Sequence, residues 1–138
     1  MRWRQRAAAL VEFALAWPIA LLIVFATVES AVWATETYAA RVAILAGARA
    51  GSVAGGTSTT AAQVARQALA SGLVGVTPRV WCPGSALRAP AVWVCAIDRG
   101  NAIEVDVGGA VPALVPLFAG RGLPIRAQVV MQKETFAP

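Results

Sequence analysis

The stretch RAAALVEFALAWPIALLIVF, Arg6 to Phe25, decides how the rest of the chain is organised. From Ala7 to Val28 its only ionisable side chain is Glu12. At a rise of about 1.5 Å per residue, a helix over this segment reaches roughly 33 Å, enough to cross the hydrocarbon core of a bilayer. Its large apolar side chains together favour insertion by roughly 4 kcal/mol, against about 3 kcal/mol for one central carboxylate. Insertion therefore survives Glu12 with little margin. Arg2, Arg4 and Arg6 directly precede the run. Cationic residues beside a span stay on the cytoplasmic side, so the N-terminus is expected inside and the bulk of the chain outside.

The totals agree with a membrane-associated chain. Over 138 residues, 58% are hydrophobic and 14% charged, with a mean hydropathy of +0.64, which excludes a disordered tail and leaves room for one small domain beside the span. The net charge of +5 does not imply nucleic acid. Beyond the three leading arginines, the remaining nine of twelve cationic residues are scattered from Arg41 to Lys133, with no aromatic-interleaved basic cluster. Histidine is absent, which removes the commonest general base, and neither cysteine has a basic neighbour in sequence to activate it. Two thiols without histidine do not make a tetrahedral metal site. Gly51 and Gly56 have the Walker A separation, but Thr57 and Ser58 follow where lysine is needed, so this is a linker. The residues thus give no reason to expect an enzyme, a cofactor, a metal or a small-molecule substrate.

A basic segment ahead of an apolar run also describes a secretory signal peptide, but an ordinary h-region holds no glutamate, and no small-x-small site followed by a polar start appears here. A short basic leader, a small residue, four more residues, then Glu12-Phe13 and an apolar helix resembles the processing site of type IV prepilins. More narrowly, it resembles the TadE-like minor pilins of tight-adherence pili. The later blocks RVAILAGARAGSV and VPALVPLFAGRGLPIRAQVVMQKE extend the resemblance over most of the chain. It implies cleavage by a prepilin peptidase between Ala7 and Ala8, which places Glu12 at the fifth mature position. Ala7 departs from the family's usual glycine. The resemblance further implies that Glu12 pairs with the new α-amino group of a neighbouring subunit and sets the axial register. The residue alone allows another reading, in which Glu12 snorkels to the headgroups. The implied partners are other pilin or pseudopilin subunits, inner-membrane platform proteins of the pilus, and the peptidase. The rival reading is an uncleaved single-pass protein whose outer domain is a periplasmic binding or adaptor module in a secretion complex.

The expected fold class is α+β. After a basic leader, 1–7, one helix is expected over 8–50, spanning the membrane to about 28–34. A linker and second helix follow over 51–72, then a small antiparallel β domain over 73–138. Ala39, Ala43, Gly47, Gly51 and Gly55 fall four apart, a stripe that lets another helix come close, with Gly47 and Gly51 as the packing positions. Thr59 or Thr60 is expected to cap the second helix, with Val64, Ala68 and Leu69 as its apolar face and Gly72 marking its end. RVWC, AVWVCAID, AIEVDV and PIRAQVVMQKE read as strands, with DRGN as the turn between the second and third. Glu104 and Asp106 then lie on a solvated face. If the first two strands form a hairpin, Cys82 faces Cys95, Val80 faces Ile97, and an extracytoplasmic disulfide closes the loop.

Overall fold

The computed structural model describes residues 2–114 and 122–134, with residues 2–9 as backbone only. The chain is α+β: helix α1 spans Arg2–Ser52 and helix α2 Ser58–Ala70. Four strands follow, β1 Arg79–Val80, β2 Val92–Asp98, β3 Ala102–Val111 and β4 Leu123–Gln132, in the spatial order β1-β2-β3-β4. Both helices lie on one face of the sheet. The core between the layers holds Ala40, Ile44 and Ala48 from α1, Ala61, Ala65 and Leu69 from α2, and the inward residues of β2 and β3.

At 51 residues α1 is about 75 Å long. Pro18 is its one helix-breaking residue and lies within the apolar run, where transmembrane helices tolerate proline. The helix ends in a turn in which the Gly56 N–H donates to the Val53 carbonyl at 2.8 Å and Gly55 takes φ 80°. That turn reverses the chain, and α2 runs back along α1. Its cap is Thr57 rather than Thr59 or Thr60: the Thr57 hydroxyl oxygen accepts the Thr60 N–H at 3.1 Å. The glycine turn ends two residues earlier than expected, so Thr60 is the capped residue. The buried face of α2 is also shifted, to Ala61, Ala62, Ala65 and Leu69, leaving Val64 and Ala68 half-buried.

Small residues win these positions because the two helices nearly touch. A Cβ on Gly47 would lie 2.6 Å from both the Ala61 carbonyl oxygen and the Ala65 Cβ, and one on Gly51 would lie 2.8 Å from the Ala61 Cβ. Where α2 ends, a Cβ on Gly72 would meet the Ala39 Cβ at 2.3 Å. Gly72 is therefore required by packing against α1, and its φ is not positive. The helix that approaches the small-residue stripe of α1 is the chain's own α2.

The sheet is mixed, which corrects the antiparallel expectation. β2-β3 and β3-β4 are antiparallel, but β1 runs parallel to β2, with Arg79 beside Trp93 and Val80 beside Val94. Parallel neighbours need a long connection, and the proline-containing segment 81–91 supplies it instead of a tight turn. Val80 thus lies beside Val94 and not opposite Ile97. The DRGN turn is where the sequence places it: the Gly100 N–H donates to Asp98 Oδ1 at 2.8 Å and Gly100 has φ 86°. β3 runs four residues beyond AIEVDV, through Gly108 and Gly109. Both glycines are dictated by neighbours, since a Cβ on Gly108 would enter the Trp93 ring and one on Gly109 would press on the Ala91 carbonyl.

Candidate functional site

The functional candidate is α1 itself, which divides at Glu29. From Leu10 to Val28 no side chain is fully buried, and the apolar ones are exposed on every side of the helix: Phe13 is 64% exposed, Leu15 68% and Ile23 61%. This part is long and apolar enough to cross a membrane. Glu12 is exposed on it. The ring of the next residue, Phe13, stacks on Trp17 one turn further along, with centroids 5.9 Å apart. Ala7, Ala8, Arg2, Arg4 and Arg6 belong to the helical backbone, while their side chains lie outside the described residues.

From Glu29 onward the head covers one face of the helix. Three side chains that the sequence reading passed over make the junction. The Glu29 carboxylate accepts the Leu114 N–H, at 2.9 and 3.1 Å to its two oxygens. Glu36 accepts the Val74 N–H at 3.1 Å. The indole N–H of Trp33 donates to the Pro124 carbonyl at 3.0 Å. Both carboxylates are buried, and each gains from a loop N–H a hydrogen bond that a buried carboxylate needs. Their signal was present: Glu29 and Glu36 are seven residues, or two turns, apart and continue toward the N-terminus the stripe of Ala40, Ala43 and Gly47.

Cys82 and Cys95 are joined, with their Cα atoms 4.8 Å apart, but across the start of the wide loop and not across a hairpin. The bond ties segment 81–91 to the outer face of β2, where Trp81 meets Trp93 edge to face at 5.5 Å. That outer face carries a polar cluster. Glu104, expected on a solvated face, is buried at 6% exposure because β3 is a central strand. It is ion-paired with Arg99 and accepts a hydrogen bond from Gln128 at 2.7 Å. The Arg99 hydrogen bond, aided by Gln128, holds its carboxyl below the ordinary glutamate value. Burial, reinforced by the nearby Glu104 charge, pushes Asp106 up. At the turn, Lys133 holds Asp98 below its usual value, with the Gly100 N–H assisting.

Beside this cluster, Trp93, Asp106, Arg126 and Gln128 line a shallow groove of about 330 Å³. A larger one, about 730 Å³, lies between β1 and the 81–91 loop and is lined by Arg79, Trp81, Leu87 and Arg88. Both are open surface grooves, and neither sets a nucleophile beside a base. The arrangement is suited to holding a domain at the end of a long apolar helix. No protein family, no characterised protein and no solved structure matches the chain.

Proposed function

We propose that this chain is a structural subunit of the minor pilin or pseudopilin type, in a pilus of the tight-adherence kind or a related envelope assembly. It would be anchored by α1 with its N-terminus in the cytoplasm and its head outside. The observation that carries the reading is the division of α1. An apolar half, exposed all round, projects beyond the head, and a second half is built into it. The Glu12-Phe13 pair at the start of the apolar half supports it through the resemblance to prepilins. The work of such a subunit is assembly: α1 packs among neighbouring pilin helices, Glu12 receives a neighbour's new amine, and the head presents a priming, capping or adhesive surface.

Mass analysis of the N-terminal peptide, from cells with and without the prepilin peptidase, tests this reading. Loss of Met1–Ala7 that depends on the peptidase is expected. An intact N-terminus in both samples would favour the second reading, an uncleaved anchor with a binding or adaptor head, toward which the groove at Trp93, Asp106, Arg126 and Gln128 points.

A further inference from the structure

We propose that the foot of the head, formed by Pro112, Ala113, Leu114 and Pro124, is a second membrane-contact surface, seated in the headgroup region of the bilayer that α1 crosses. The inference rests on the reading of α1 as a span and adds a surface to it.

The height of the foot follows from its anchors. A helical side chain leans toward the N-terminus and covers the turn before its own Cα. The Glu29 carboxylate that holds the Leu114 N–H therefore lies beside the last apolar turn, Phe25 to Val28, and not above it. Ala26 on that turn is half-buried, whereas Ala14, Ala16 and Ala20 of the same helix are exposed. On the returning side Trp33 fixes Pro124 by its carbonyl. Leu114 and Pro124 are thus each held to α1, level with the end of the apolar segment.

The chemistry fits a lipid surface. Leu114 is 55% exposed, and Pro112 and Pro124 are exposed. None of residues 111–114 and 122–125 carries a charge. Part of the cost of desolvating this backbone is already met, because two of its residues are prolines without an N–H, the Leu114 N–H is taken by Glu29, and the Pro124 carbonyl is taken by Trp33. Trp33, 39% exposed with its indole at this level, belongs to the residue type enriched at membrane interfaces. Continuity with the apolar face of Phe25 and Val28 makes the bilayer the occupant.

The test uses the full chain in its membrane, with a photoreactive diazirine amino acid placed in turn at Phe25, Leu114 and Val53, and adducts identified by mass. Val53 is 48% exposed but lies at the opposite end of the head, just past the end of α1. Lipid adducts are expected at positions 25 and 114 and are expected to be lost at position 53. Lipid at 25 with only water or protein adducts at 114 would overturn the foot and leave the span standing. A second protein chain captured at 114 would likewise overturn it in favour of a subunit interface. Absence of lipid at 25 would remove the span reading and this inference together.

Discussion

Residues 10–28 and 29–52 are consecutive turns of one helix, yet they reverse the usual relation between size and burial. The first part carries Phe, Trp, Leu and Ile and leaves them exposed. The second buries a stripe made mostly of small residues, Ala40, Ala43, Gly47, Ala48 and Gly51, with Ile44 and two carboxylates, Glu29 and Glu36. In water large apolar side chains go inside, so their exposure beyond the head is the feature on which the proposed membrane anchor rests. The small residues go inside for a different reason: they let α2 approach until backbone meets side chain. Apolar content therefore separates the two halves less well than residue size does.

The strongest way to break this contrast is a charge. Leu22→Arg should cost about 3.5 kcal/mol of insertion free energy if the lower half spans a bilayer. Leu45→Arg, on the exposed side of the upper half, should change stability by less than about 0.5 kcal/mol. A glycosylation-site insertion assay paired with thermal unfolding in detergent measures both. Equal effects would mean that the two halves share one surround.

Removing the bridge with Cys82→Ser and Cys95→Ser should destabilise the head by about 3 kcal/mol, the loop-closure value for a separation of 13 residues. Insertion of the lower half should be unchanged, and a failure to insert would show that the halves are coupled.

Gly47→Leu sharpens the comparison at the seam. Its side chain meets the α2 backbone and Ala65, and overpacking of this kind should cost about 2 kcal/mol. Ala20→Leu, in the exposed half, should leave head stability within about 0.5 kcal/mol of the parent. Denaturant unfolding followed by the near-ultraviolet signal of Trp81 and Trp93 reads the difference.

The smallest effect concerns acid. Glu104 has its folded value lowered, chiefly by Arg99. Its contribution is therefore present above the unfolded value, about 4.3, and is lost as pH falls through the lower folded value. Glu104→Gln should lower stability at pH 7 and flatten part of the acid-induced loss, and Asp98 acts in the same direction. Asp106 acts in the opposite sense, because its value is raised. A parallel downward shift of the whole pH profile would show that the carboxylate's charge plays no part.

Much of this architecture was legible because it depends on near neighbours. Helix α1, α2, three of the strands and the DRGN turn follow from periodicity, the run of alanines and turn chemistry, all within a few residues. The disulfide partners were legible too, since the chain has two cysteines. The direction of β1 was not, because a short strand pairs either way and the choice fell to the path of segment 81–91. The burial of Glu104 was hidden for a related reason: alternation gives the face of a strand, but only the placement of β4 beside β3 makes that strand central.

That one helix carries an apolar, nearly uncharged segment long enough for a bilayer follows from the residues alone, since length and composition suffice for it. The tertiary structure alone decided which partner meets the small-residue stripe and where the head ends along the helix. Those answers depend on contacts such as Glu29 to Leu114 and Trp33 to Pro124, which join residues 85 and 91 positions apart. No local pattern encodes such pairs, because each is set by the folding of everything between them.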